Sequence, residues 1–393
     1  MKIGIVCYPT FGGSGVVATE LGIELSNKGH EVHFITYSQP VRLEALTSNL
    51  YFHEVTVPEY PLFKYEPYEL ALSSKLYDVI SKHKLDLLHV HYAIPHAYAG
   101  YMAKQILKDN GYNIPIITTL HGTDITLVGN HPFYKPAVTF SINNSDIVTC
   151  VSESLKEDTI DFFNIKREIN VIPNFIDIKK YDEKHKNCKK NIISKGDEKI
   201  IVHISNFRPL KRVIDVLKVF QIINKEINSK LIMVGDGPDK NKAKEYMKKN
   251  NLKSNVIFLG NTSQIDEILC SSDLFLLPSE KESFGLSALE AMALKVPVIS
   301  TNIGGLKEFN IDDNFGYTSD VGDIKKMAKD SIKILSDSKL QQKFRDNALE
   351  NAKKFDINNI IPLYEDIYLS LIHISEPTRP ERIGDGGVCV KKK

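Results

Sequence analysis

The stretch SEKESFGLSALEAM (Ser279–Met292) sets Glu282 and Glu290 eight residues apart across a Phe284-Gly285 turn. The second glutamate falls on the opening turns of a helix. Just before it, SDLFLLPS (residues 272–279) is an apolar strand-like run that reaches Pro278. The order is strand, loop, helix, with two carboxylates where the chain leaves the end of a sheet. Each can accept a pair of hydroxyl hydrogen bonds, as a sugar ring or a ribose requires. Taken alone, such a pair is more often two solvated charges favoured by a helix dipole. The rest of the chain decides between these readings.

Outward from that stretch, short apolar runs alternate with amphipathic helical segments. KIGIVCY, EVHFITY, LDLLHVHY, PIITTLHG and DIVTCVS read as buried strands in the first part. IIVHISNF, KLIMVGDG, VIFLGN, DLFLLPS and PVISTNIGG repeat the pattern in the second. Continuous β-branched runs separated by helices predict parallel sheets covered on both faces. Two such sets in 393 residues predict an α/β protein with two Rossmann-like, doubly wound domains facing across a cleft. The break falls between Val171–Asp177 and Glu198–Ser205, which assigns residues 1–175 to the first domain and 176–355 to the second. The lysine-rich KKYDEKHKNCKKNIISKGD between them has no apolar period and reads as a linker or surface loop. FDINNIIPLYEDIYLSL spaces Ile360, Ile361, Tyr364, Ile367, Tyr368 and Leu371 as one face of a terminal helix over residues 356–371. Residues 372–393 change character to Pro, Gly and charge. They resemble translated adapter read-through more than a natural tail, and disorder is expected there.

Composition narrows the function classes. A net charge of +1 with 25% charged residues gives no basic excess for nucleic acid. No stretch approaches the roughly 20 apolar residues that span a bilayer, and the chain enters its first strand at once, leaving no room for a secretory signal. Five scattered cysteines without CxxC spacing predict reduced thiols. The expectation is a soluble, cytoplasmic protein with no stable membrane association; self-association is left open.

Four further constellations end predicted strands. PTFGGSGVVATELG (Pro9–Gly22) places Gly12, Gly13 and Gly15 before a helix whose first amides face the loop, an anion site whose spacing is neither Walker A nor GxGxxG. A glycine turn without a ligand is an equal alternative at this point. His89, His91 and His96 invite a metal reading, but no carboxylate or cysteine shares their spacing, so no metal is expected. His121 follows IITTL and precedes Gly122, Thr123 and Asp124, where doubly wound folds place ligands; a capping histidine is the plainer alternative. SNFRPLKR offers Arg208 and Lys211 for a diphosphate, with Arg212 left to solvent, and MVGDGPDK puts Gly235 in a turn that suits a base or ribose.

Together, GGSGVV, LHGTD, the Arg-Lys pair, VGDGP and E-S-F-G-x-x-x-x-E resemble the retaining family 4 glycosyltransferases of GT-B architecture, over roughly residues 1–371. HVHYAIPHAYAGYMAKQ with TTLHGTDITLVGNHPFYKPA resembles one subgroup closely, the N-acetylglucosaminyl L-malate synthases that start bacillithiol synthesis. The resemblance implies transfer of GlcNAc from UDP-GlcNAc to the hydroxyl of L-malate. It implies Glu290 at the ribose, Glu282 at the sugar hydroxyls, Arg208 and Lys211 at the diphosphate and His121 beside the sugar. Gly13, Gly235, Phe284 and Gly285 complete the donor side, and Ser14, Tyr92 and Thr119 the acceptor side. One departure is visible: many members place the arginine five residues before the lysine, where this chain has Asn206, and Arg208 lies three before Lys211.

Both glutamates are taken by hydroxyls, so no carboxylate remains as a nucleophile. Front-face attack without a metal or other cofactor is expected. Rival readings are a family 4 enzyme with a lipid or polysaccharide acceptor, a UDP-GlcNAc 2-epimerase, and a non-catalytic nucleotide-sugar binder. YELALSSKLYDVISKHK lacks the basic aromatic face of a membrane-docking helix, and the intact charged set speaks against a degenerate binder.

Overall fold

The computed structural model describes residues 1–43, 48–186, 196–262 and 264–375. Its first sheet contains β1 (Lys2–Val6), β2 (Glu31–Thr36), β3 (Leu50–Glu54), β4 (Leu87–His91), β5 (Ile116–Leu120), β6 (Ile147–Cys150) and β7 (Ile169–Val171). These are parallel, in the order β3-β2-β1-β4-β5-β6-β7. The second sheet contains β8 (Lys199–Ile204), β9 (Ser229–Val234), β10 (Val256–Gly260), β11 (Leu274–Leu277), β12 (Val298–Thr301) and β13 (Gly316–Ser319). It is also parallel, in the order β10-β9-β8-β11-β12-β13. All five residues of β4 and of β5, and all four of β11, are buried, because helices cover both faces of each sheet.

The chain order reverses between β1 and β4 in the first sheet, and between β8 and β11 in the second. Crevices outside the carboxyl ends of the strands at such switch points receive ligands in doubly wound folds. The loops that follow these four strands carry GGSG, HYAIPH, SNFRPLKR and SEKESFG.

The halves are joined by a shared apolar cluster. Leu120, Ile125 and Leu155 of the first pack with Val202, Leu277, Phe284 and Leu289 of the second. Polar contacts fix the join: the Ser152 hydroxyl donates to the Ser283 carbonyl at 2.6 Å. The Glu308 carboxylate accepts from the first amides of the helix Glu153–Phe162, Glu153 at 3.2 Å and Ser154 at 3.0 Å. The chain crosses between halves twice, side by side, where the Ile357 amide donates to the Ile176 carbonyl at 2.8 Å and Ile176 to Phe355 at 3.0 Å. The helix Ile357–Ser375 then lays Ile360, Ile361, Tyr364, Tyr368 and Leu371 against Ile3, Ile5 and Leu21.

Four details differ from the sequence reading. β3, β7 and β13 escaped it: β3 and β7 mix buried with exposed residues, and β13 is the four-residue GYTS, largely buried but with a single large apolar side chain. The lysine-rich segment is helical over Ile178–Lys186, started by the Asp177 carboxylate accepting from the Lys180 amide at 3.2 Å and anchored by buried Tyr181. The terminal helix continues to Ser375, four residues into the expected tail; residues 376–393 of that tail lie outside the described residues. Cys7 and Cys150 are free, whereas Cys270 is disulfide-bonded, against the expectation of reduced thiols throughout.

Candidate active site

A cleft of about 1990 Å³ lies between the two sheets, lined from both halves. Its first-half wall is the glycine loop with the helix Gly13–Asn27 and the loops after β4 and β5; its second-half wall is the loops after β8, β9 and β11. Ser14, Tyr92, His121, Arg208, Lys211, Gly235, Glu282 and Glu290 all reach it. Residues far apart in sequence meet there because the motifs occupy equivalent strand ends.

The second-half wall is built around the turn Glu282–Gly285. The Gly305 amide donates to the Glu282 carbonyl at 3.0 Å, which draws the NIGG loop after β12 under the turn. Gly285, at φ +98°, starts the helix Leu286–Ala293 from a left-handed conformation that only glycine adopts cheaply. Phe284 is 3% exposed, with its ring on Phe309 and Phe355. It anchors the turn through the core, and its ring is no platform for a ligand. The Glu282 carboxylate is ion-paired with Lys211 and accepts the Ser279 hydroxyl at 2.9 Å. Arg208 is exposed and, among the described residues, makes no ion pair; Arg212 is held by Asp215 and Glu280.

Glu290 is 5% exposed. Its Oε1 accepts from Arg42 Nη2 at 3.0 Å and from the Tyr181 hydroxyl at 3.1 Å. Arg42 also reaches Glu20 at 3.3 Å, and Lys180 approaches the same glutamate at 3.4 Å. These partners come from the first half and from the crossing segment. Near them the cleft is also lined by Asn174, whose buried Oδ1 has no partner.

On the first-half wall, Ser14 Oγ and the Tyr92 hydroxyl lie 2.8 Å apart. A Cβ on Gly13 would stand 3.6 Å from Leu286, so the glycine loop abuts the helix that carries Glu290. Gly122 has φ +105°, and a Cβ there would collide with Ser283. Asp124 ties this loop together: its carboxylate accepts from the amides of Ala93 at 3.0 Å, Gly122 at 2.9 Å and His121 at 3.2 Å. Burial pushes its carboxyl up to about 6 despite those bonds.

The histidines form a buried network. His89 bonds Tyr368 and Thr119, each at 2.7 Å, and stacks on His91. His96 Nδ1 donates to the His91 carbonyl. His91 Nδ1 and His121 Nε2 are 2.8 Å apart, and His91 Nε2 is buried without a partner. An orphaned acceptor costs less than an orphaned N–H, which puts the proton on His91 Nδ1, donating to His121. His121 is then the Nδ1–H tautomer, with that N–H as its remaining donor for a ligand. Burial holds His121 down to about 3, so it acts as a neutral donor and not as a cation.

The cleft thus assembles the residues expected from sequence, with one exception. Thr119 does not line it: β5 turns this side chain toward the terminal helix, where it bonds His89 and, at 2.6 Å, Thr149. Phe284 lines the cleft while its ring packs on Phe309 and Phe355. Residues that sequence reasoning left without a role are Arg42, Tyr181, Asp124 and Asn174. Asp124 sat inside the quoted LHGTD and Tyr181 inside the segment read as a linker; Arg42 and Asn174 carry no local signal.

Comparison with known proteins gives a consistent picture. Residues 11–180 match the family model described as Glycosyltransferase Family 4, and residues 185–351 match Glycosyl transferases group 1. The chain is 46% identical over 374 residues to the N-acetyl-alpha-D-glucosaminyl L-malate synthase of Bacillus anthracis, covering 95% of this chain and 97% of that one. The solved sucrose-phosphate synthase of Thermosynechococcus elongatus superposes with a TM-score of 0.79 at 18% identity, over 95% of this chain and all of that one. Anabaena HepE, solved with UDP and glucose, gives 0.79 at 19% identity, over 94% and 100%. At such identities the two structures speak to the fold alone. Among the described residues, no helix is long and apolar enough to cross a membrane.

Proposed function

Because this chain belongs to the GT-B glycosyltransferases, with a family 4 first half and a group 1 second half, we propose that it moves GlcNAc from UDP-GlcNAc to the hydroxyl of L-malate with retention, the reaction that opens bacillithiol synthesis. The 46% identity, over nearly the full length of both chains, to an N-acetyl-alpha-D-glucosaminyl L-malate synthase carries this reading. The cleft supplies groups suited to both substrates.

Glu290 receives the ribose hydroxyls of UDP, which take over the lone pairs now held by Arg42 and Tyr181. Arg208 and Lys211 face the diphosphate. As the anomeric C–O bond breaks, negative charge grows on the β-phosphate oxygen, and cations already aimed there stabilise it without reorganising. Glu282 orients Lys211 and accepts sugar hydroxyls, and His121 donates to the sugar or phosphate oxygen beside it. Malate, a small dianion, lies at the first turn of the helix Gly13–Asn27, where orphaned amides and the dipole favour negative charge, beside Ser14 and Tyr92. Its hydroxyl oxygen attacks the anomeric carbon on the face the phosphate leaves, and its proton passes to the departing phosphate oxygen. No divalent cation or other cofactor takes part.

The test is UDP release from UDP-GlcNAc with and without L-malate, in EDTA, with products weighed by mass spectrometry. Malate-dependent UDP with a GlcNAc-malate mass is expected. UDP release that ignores malate would discard the acceptor, and an epimerised sugar without transfer would replace the reaction.

A further inference from the structure

Away from the cleft, the edge of the first sheet brings three histidines together. His33 lies on β2, His53 on the edge strand β3, and His83 ends the helix Tyr68–His83 that packs over them. One ring nitrogen from each lies within 4.8 Å of the others. His33 Nδ1 and His53 Nε2 are 2.8 Å apart with their rings nearly parallel, and the His83 ring centroid is 4.6 Å from that of His33. None of the three lines the substrate cleft.

We propose that His33, His53 and His83 form a site for one transition-metal ion of the zinc class, clamping the edge strand and the helix end onto β2. The far side of His33 is what distinguishes this cluster from a chance meeting of imidazoles. Its Nε2 donates to Glu31 Oε1 at 2.9 Å, the carboxylate–histidine arrangement that fixes a ligand's tautomer and raises its basicity. With the proton committed to Nε2, Nδ1 of this fully buried ring presents its lone pair to the other two histidines. Lys2, 3.4 Å from the same Glu31 oxygen, balances the carboxylate.

Without metal, the His53 Nε2–H donates to His33 Nδ1. Binding needs that proton on His53 Nδ1 instead, a tautomer change that releases no net proton. Nitrogens at about 2.0–2.1 Å from a tetrahedral ion lie roughly 3.4 Å apart. The His33–His53 pair therefore opens slightly and the half-exposed His83 closes in. A fourth position stays open to water.

The experiment is calorimetric titration of the untagged, EDTA-washed full chain with Zn²⁺. One saturable equivalent is expected. His53→Asn and His83→Asn should each weaken it by more than ~100-fold, and Glu31→Gln by about 10–100-fold. UDP release by all three should stay within about two-fold of the parent, which separates loss of the metal from loss of fold or of the cleft. His83, on a half-exposed helix end, keeps the test usable if changes on the strands unfold the edge. No saturable binding, or one equivalent bound at unchanged affinity in both histidine variants, would overturn the site.

Discussion

Arg42 Nη2 and Glu290 Oε1 meet 3.0 Å apart across the cleft, although 248 residues separate them in the chain. Glu290 is the carboxylate assigned to the nucleotide ribose, so its partner from the opposite half occupies the place the hydroxyls require. On the proposed function, the ribose hydroxyls compete with Arg42 and Tyr181 for this carboxylate.

Removing the guanidinium should expose that exchange. Arg42→Gln leaves a buried carboxylate short of a cation, and because Arg42 is partly exposed the cost should be about 1–3 kcal/mol, below that of a fully buried pair. UDP, which brings two hydroxyl donors, should then raise the melting temperature of the variant more than that of the parent. An equal UDP shift in both proteins would separate Arg42 from the nucleotide site.

Neighbouring cations should behave unequally. Lys211, paired with Glu282 in the cleft, is placed to meet the charge that develops on the leaving phosphate; Arg212 is tied to Asp215 and Glu280. Lys211→Ala should lower kcat by about 10²–10³-fold, the usual loss of one charge-stabilising group. Arg212→Ala should stay within a few-fold. Steady-state UDP release decides, and equal losses would remove Lys211 from its role.

Gly122→Ala tests how the loops close. Its φ of +105° and the collision of a Cβ with Ser283 force the LHGTD loop away from the turn that carries Glu282. Displacement of this size should reduce kcat/KM by ~10–100-fold. Free UDP should bind nearly as before, since the loop flanks the sugar and not the nucleotide.

Thr119→Val separates a structural hydroxyl from an acceptor-binding one. The change strands His89 Nε2 and Thr149, at a cost of about 1–3 kcal/mol in unfolding free energy. The KM for malate should not move. A malate KM raised ten-fold with unchanged stability would return Thr119 to the acceptor site.

Acid should destabilise the protein before carboxylates of ordinary pKa titrate. His89 and His121 are held down to about 3, and His96 and His203 to about 4, each chiefly by burial. All four stay neutral in the folded chain, while the unfolded chain protonates them below 6.5. Their contribution is therefore complete above pH 6.5 and is lost as pH falls toward 4 and 3, at up to about 1.4 kcal/mol per pH unit for each ring. Asp124, raised to about 6, takes up its proton in the folded state first and offsets part of this between pH 6 and 4. Urea midpoints at pH 7 and pH 5 should differ clearly, with the lower value at pH 5; coincident midpoints would mean the rings are not neutral and buried as described.

Much of this protein is legible from its chain. Parallel strands buried on both faces must be apolar throughout, which is why β1, β4, β5, β8 and β11 stand out as runs. The rules of doubly wound sheets then place GGSG, LHGTD, SNFRPLKR and ESFG at strand ends. β3 and β7 were illegible because they mix buried with exposed residues, and β13 because GYTS is short and carries one large apolar side chain.

Local patterning sets the two sheets, the loops that carry chemistry and the residue types at their tips, since these follow from patterns only a few residues long. Tertiary structure alone decided who pairs with whom. Lys211 with Glu282, Arg42 with Glu290 and the three histidines at the sheet edge are neighbours only after the strands are ordered and the halves meet. It also decided that Thr119 faces the terminal helix and that Phe284 is an anchor, because the element covering each side chain lies hundreds or tens of residues away. Local patterning is set by backbone periodicity; partners are set by closure of distant surfaces, which no short window of sequence contains.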